Sequence, residues 1–211
     1  MSTMVATEPE VMPKAEVTPE ELLAMPDGGH YELIDGELKE RKASVLTSLI
    51  SAHVSGMLSN HCRALNLGWI LSSKLGYRCF PWKPDRIRLA SVSFFRADRV
   101  SKERLSEDFC SIAPDLAIEV ISPDHRIGEV DSKVQDFLRA GVKLVWVVHP
   151  GVKAVQVFRA DGSGSWLRAS AELSGEDVIP GFRCQVDAFF PMLGQPEEQS
   201  PKTTGADASV S

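Results

Sequence analysis

The sequence predicts an α/β fold, a mixed central β-sheet flanked by helices, with an N-terminal β-hairpin and a C-terminal strand pair. Three observations predict it. Ser44–Leu67 and Ile127–Ala140 carry helical apolar spacing and alternate with strand-like runs. Asp35-Gly36 separates two short alternating runs, a strong hairpin signal. Lys143–Val148 is nearly all apolar, as expected of a strand buried on both faces.

Taken in order, Thr18-Pro19-Glu20-Glu21 opens a short helix. Thr18 can cap, Pro19 suits the first helical position, and Glu21 completes a capping box. Pro26-Asp27-Gly28-Gly29 stops it. Tyr31–Asp35 and Glu37–Arg41 form the hairpin. In the long helix Leu46, Leu49, Ile50, Val54, Met57, Leu58 and Leu65 make the apolar stripe, and Gly68 ends it. Strands follow over Trp69–Phe80, Arg86–Phe95 and Asp115–Ile121. The second helix stops at Gly141. After the buried strand, Val152–Arg159 and Ser165–Ala169 pair across Asp161-Gly162-Ser163-Gly164.

The chain has 211 residues, 43% apolar and 25% charged. That composition excludes a wholly disordered chain and fits one domain. Residues 1–17 and 194–211 lack apolar periodicity and read as disordered tails around a domain spanning 18–193. Cys62, Cys79, Cys110 and Cys184 are widely spaced, with no C-x-x-C pair, so free thiols are expected and a zinc site is not. The N-terminus lacks a signal pattern, and the longest apolar run, Leu144–Val148, is far short of the ~20 residues of a membrane helix. A soluble, cytoplasmic protein is expected.

The chemistry concentrates in Ala113–Pro123. Strand alternation puts Leu116, Ile118 and Val120 on one face and Asp115, Ala117, Glu119 and Ile121 on the other. A carboxylate inside so apolar a strand is costly unless it meets a metal ion, a Lys or Arg, or a proton. A strand end reaching solvent, or a structural salt bridge, would also satisfy it. Lys133 lies on the flank of the Val130, Val134, Phe137 and Leu138 stripe of the second helix. From there it can reach a buried carboxylate, or simply snorkel to water.

YELIDGEL (Tyr31–Leu38), APDLAIEVISPD (Ala113–Asp124) and KVQDFLRAGVKLVWVVHP (Lys133–Pro150) together resemble one family closely. Gly76-Tyr77-Arg78, the Val178–Phe182 run and Ala188-Phe189-Phe190 extend the likeness over about residues 18–193. The family is the group of "putative restriction endonucleases", once a domain of unknown function, in the PD-(D/E)XK nuclease superfamily. The resemblance implies a nuclease-like core, a mixed four-stranded sheet flanked by helices, and Mg²⁺-dependent (or Mn²⁺-dependent) hydrolysis of DNA phosphodiester bonds. Acidic oxygens would hold the hard cation, which polarises the phosphate, and a lysine would steady the developing charge.

Residue by residue, Glu119 matches the Glu of the third motif. The Lys expected two positions on is Ile121, and Lys133 on the following helix matches the migrated lysine. Glu32 occupies a recurrent acidic position. The departure is Ser91. The family usually reads Pro-Asp-Val-Ser-Phe where this chain reads Ala90-Ser91-Val92-Ser93-Phe94, so the metal-binding Asp is a serine. Glu119 and Ser91 are the expected metal positions, with the ion weakly bound. Asp115 stands ~13 Å from Glu119 along the strand and cannot share its ion. Asp85 and Asp98 are equally remote.

Other signals carry less. Ser122, Asp124 and His125 are too close in sequence for a triad and read as a loop cap. Gly162-Ser163-Gly164 is a turn without the strand-to-helix setting of a nucleophile elbow. His53 and His61 read as packing or surface residues. The net charge of −6 argues against nucleic acid only as an average. Lys74 to Arg104 holds nine basic residues against three acidic ones, interleaved with Tyr77, Phe80, Trp82, Phe94 and Phe95. DNA is the expected partner through this segment, although a solvated strand face with buried aromatics reads as well. By analogy the protein is expected to be a homodimer. The alternative function is a catalytically inactive nuclease fold that binds DNA or dimerises.

Overall fold

The computed structural model describes residues 16–72, 74–100, 108–122 and 127–191. The tails expected at either end therefore fall almost wholly outside the described residues. Val17 does not belong to a tail: its amide donates to the Gly36 carbonyl, and its side chain packs on a small cluster around Leu22, Leu33 and Ile87.

Helix α1 (Pro19–Ala24) has the expected capping box, Thr18 and Glu21 each satisfying the other's backbone amide. Strands β1 (Tyr31–Ile34) and β2 (Glu37–Glu40) form the hairpin. Asp35 and Gly36 both take positive φ, 50° and 78°, as a two-residue turn of that hand requires. Helix α2 (Val45–Ala64) is capped by Ser44. It ends earlier than Gly68. Asn66 adopts the left-handed conformation and the Leu67 amide reaches back to the Cys62 carbonyl, so Asn66 does the work assigned to the glycine. Its buried stripe is Thr47, Ile50, Val54, Leu58 and Cys62, while Leu46 and Leu65 at its ends face solvent.

Two expected strands are each two. Trp69–Phe80 divides into β3 (Gly68–Ser72) and β4 (Gly76–Tyr77), and Arg86–Phe95 into β5 (Arg88–Leu89) and β6 (Val92–Arg96). The chain changes sheets in both places. Strands β4, β5 and the unexpected β7 (Phe109–Cys110) make a small three-stranded sheet in the order β5-β4-β7. Strands β3 and β6 join β8 (Leu116–Val120), β9 (Leu144–His149), β10 (Ala154–Arg159) and β11 (Gly164–Arg168) in the central sheet, ordered β11-β10-β9-β8-β6-β3. That sheet has six strands, not four. Among the described strands of this sheet only β8 and β9 run parallel, joined through helix α3 (Ile127–Arg139), so the sheet is mixed as expected. A further pair, β12 (Glu172–Ser174) with β13 (Arg183–Gln185), was not legible in the sequence.

The two helices cover opposite faces of the sheet. Ile50, Val54 and Leu58 of α2 pack on Leu116, Ile118 and Val120. Val134 and Phe137 of α3 pack on Ala117, Val145 and Val147. Strand alternation thus sends Glu119 to the α3 face. His53 and His61 of α2 contact the Ala188 and Pro180 carbonyls, tying the helix to the C-terminal segment. All four cysteines are free. No helix among the described residues is long and apolar enough to cross a membrane.

Candidate functional site

Glu119 sits one residue before the end of β8, the strand buried along its whole length. Its neighbour across the antiparallel ladder with β6 is Ser91, because Val92 pairs with Ile118 and the register continues by one. Ser91 is fixed from both sides. Its amide donates to the Ile118 carbonyl, and its hydroxyl accepts the Val120 amide at 2.8 Å. The hydroxyl therefore satisfies a backbone donor where the strand ladder runs out.

The hairpin brings two more groups. Leu33 and Ile87 exchange both backbone hydrogen bonds, which staples β1 to the approach to β5. Glu32 is thereby buried, and its Oε1 accepts the Leu89 amide at 2.9 Å. One residue past β2, the Arg41 amide bonds the His30 carbonyl, so its side chain leaves the hairpin's open end toward β6 and β8. The Arg41 guanidinium donates to Ser91 Oγ at 2.6 Å and to the Ala90 carbonyl at 3.2 Å, and lies 3.5 Å from Glu119 Oε2.

Helix α3 closes the site from above. Lys133 is 8% exposed, and its ammonium lies 2.8 Å from Glu32 Oε1 and 3.1 Å from Glu119 Oε1. The Glu119 contact is electrostatic and off-line for a hydrogen bond, which leaves Oε1 buried without a donor. One turn on, Asp136 is also buried and accepts from Arg86 at 2.7 Å and from Arg88 at 2.8 Å. Arg88, 2% exposed, reaches Glu32 Oε2 at 3.0 Å with its other arm. A chain of alternating charge thus runs Arg41, Glu119, Lys133, Glu32, Arg88, Asp136, Arg86, and on to Asp35 and Lys83 at the surface. Burial pushes the Glu32 carboxyl up, but the charges of Lys133 and Arg88 outweigh it and hold the group below its ordinary value.

All four residues singled out in the sequence, Glu32, Ser91, Glu119 and Lys133, meet here. Three further members, Arg41, Arg88 and Asp136, were not foreseen. Arg88 and Asp136 had a signal: each is a charge inside an apolar pattern, Arg88 between Ile87 and Leu89, Asp136 beside Phe137. Arg41 had none, since the end of an exposed hairpin is an ordinary place for arginine. Asp115 lies at the far end of β8, where it accepts the Arg96 amide and pairs with Arg99. Ser122 is buried, while Asp124 and His125 lie outside the described residues.

The arrangement does not fit a divalent cation. A hard cation asks for several oxygens carrying negative charge. Ser91 is neutral and already holds an amide and a guanidinium, and the Glu32 oxygens are committed to Lys133, Arg88 and the Leu89 amide. Among the described residues no three His, Cys, Asp or Glu side chains converge to hold an ion.

Arg41 lines two cavities beside the site. One, about 210 Å³, holds Glu32, Glu119 and Lys133. The other, about 630 Å³, runs along α2 from Ser91, lined by Arg41, Lys42 and Lys74 and by Ser48, Ser51 and Ser55; none of its described lining residues is acidic. The basic segment contributes less free charge than its sum. Arg78, Lys83, Arg86, Arg88, Arg96 and Arg99 are in ion pairs, and Lys102 and Arg104 lie outside the described residues. Its aromatics are mostly core: Tyr77, Phe80, Phe94 and Phe95 are buried, and Trp82 carries the Arg139 guanidinium on its ring.

No curated protein matches the chain. A crystal structure of "a putative nuclease belonging to DUF820" from Anabaena variabilis matches with a TM-score of 0.71 at 19% identity, covering 82% of this chain and 97% of that one. At that identity the likeness shows a shared fold. The model of the Uma2 family, described as "Putative restriction endonuclease", matches residues 19–187, so the chain belongs to that family.

Proposed function

We propose that this chain binds DNA through its phosphate backbone and is silent or severely impaired as a nuclease. The observation that carries the reading is the cleft beside the site, whose described lining holds no acid and has Arg41, Lys42 and Lys74 on its walls and serine hydroxyls along α2. Cations supply the sequence-independent part of DNA affinity, and hydroxyls are the other common phosphate donors. Lys74 is the member of the basic segment that faces this cleft. A neutral Ser91 in place of a carboxylate accounts for the impairment, since it lowers the charge available to hold Mg²⁺ or Mn²⁺.

One observation favours a second reading, active Mg²⁺-dependent hydrolysis of DNA. The Lys133 ammonium holds Glu32 and Glu119 within 3.1 Å of itself, and Glu119 Oε1 is buried with no hydrogen-bond donor. A homodimer, which would set two sites against two strands, and a cytoplasmic location, which suits four free thiols, belong to the same proposal.

Fluorescence anisotropy with a labelled duplex tests the reading. Affinity should fall steeply with salt, and K42A/K74A should reduce the log–log slope by about 0.9 for each lost phosphate contact. Binding without salt dependence, or no binding at all, overturns it. Plasmid nicking in Mn²⁺ that E119Q abolishes would establish the second reading instead.

A further inference from the structure

We propose that the Arg41 guanidinium is this chain's built-in replacement for the divalent cation, so that Arg41 and Ser91 form one coupled charge exchange. The inference rests on the nuclease-family reading of the site and names what fills its cation position. Three oxygens from separate residues converge on this one side chain. They are the Ser91 hydroxyl at 2.6 Å, the Ala90 carbonyl at 3.2 Å and the Glu119 carboxylate at 3.5 Å. Hydroxyl, backbone carbonyl and carboxylate are the donors a hard cation takes, and here a nitrogen cation takes them.

The charge count agrees. Glu119 and Glu32 face Lys133 and Arg41, two negative groups against two positive, before Arg88 is shared with Asp136. A carboxylate at position 91 with a neutral residue at 41 would leave three negative groups against Lys133, a net charge of −2 that one divalent cation cancels. Either change alone leaves a site without that balance. With only Ser91→Asp, the new carboxylate falls against the guanidinium already 2.6 Å from the Ser91 hydroxyl. With only Arg41→Gln, Glu119 loses its Oε2 cation but gains no second anionic ligand. The exchange also partitions space, because Arg41 is the side chain that lines both the 210 Å³ and the 630 Å³ cavities.

The test is isothermal titration calorimetry of the full chain with MnCl₂ alone. Wild type, S91D and R41Q should show no binding that E119Q removes. R41Q/S91D should bind one Mn²⁺ in a way that E119Q removes, at least about tenfold more tightly than any binding left in S91D, the scale on which charge count tunes such sites. The proposal is overturned if S91D binds as tightly as R41Q/S91D, or if folded R41Q/S91D, checked by circular dichroism, binds none. It is equally overturned if wild type binds Mn²⁺ in a way that E119Q abolishes, a measurement that needs no new variant to fold. No DNA enters the titration, so failure of the DNA-binding reading and failure of this one are separate results.

Discussion

Arg88→Met removes the central cation of the buried network while keeping much of its volume. Arg88 is 2% exposed and holds Asp136 Oδ2 through two nitrogens at 2.8 and 2.7 Å, Glu32 at 3.0 Å and the Ser132 hydroxyl at 2.9 Å. Neither carboxylate is abandoned. Asp136 keeps Arg86, and Glu32 keeps Lys133 and the Leu89 amide. The cost of breaking a buried pair should therefore fall at the low end of its usual range, about 3 kcal/mol. For a domain of this size that lowers Tm by about 6–12 °C. The pH dependence is the sharper readout. In wild type the Glu32 carboxyl lies below its ordinary value, so its stabilisation is present above the ordinary carboxylate range and is lost as pH falls through the lowered value. The Arg88 charge is one of the influences that hold the group down against burial, so without it the lowering shrinks. The Glu32 contribution then shrinks, and the gap between the two proteins opens as pH rises from about 2 to 5. Urea unfolding of both proteins across that interval measures the difference. An unchanged midpoint, or a difference that does not grow with pH, refutes the argument that this network carries stability.

Two other substitutions isolate separate features. Ser91→Ala removes the acceptor of the Val120 amide and of Arg41, and should cost about 1–3 kcal/mol in urea unfolding through the unsatisfied buried amide. Gly68→Ala would set a Cβ 1.9 Å from the Phe95 carbonyl oxygen at φ +157°, and should cost about 3 kcal/mol by the same measurement.

The β8 strand and both long helices could be read from apolar periodicity alone. The same alternation marked Glu119 as a carboxylate in an apolar strand, which needs a partner or an opening to solvent, and the family resemblance singled it out. The partner itself was half legible. Lys133 stands one position from Val134 in the stripe that α3 turns to the sheet, so helix geometry allowed it either to reach β8 or to snorkel to water. That Glu32 would share the same ammonium did not follow, since nothing local to YELIDGEL says where the hairpin docks. The strand breaks between Ser72 and Gly76 and at Ala90–Ser91 were equally hidden, because changing sheets leaves the alternation intact.

The sequence by itself determined the layers, the face on which Glu119 lies, and the neutral residue at position 91. Each depends on local spacing or on the identity of one side chain. Only the tertiary structure decided what stands beside Ser91. Arg41 is 50 residues away in the chain and reaches the site because the hairpin is stapled to Ile87 by paired backbone hydrogen bonds. The basic segment shows the same division: its excess charge is a property of sequence, while the ion pairs that consume most of it come from Glu20, Asp35, Asp115 and Asp136, brought in by folding. Charge along a chain sums by counting, but the field at a site depends on distance, and distance is set by the fold.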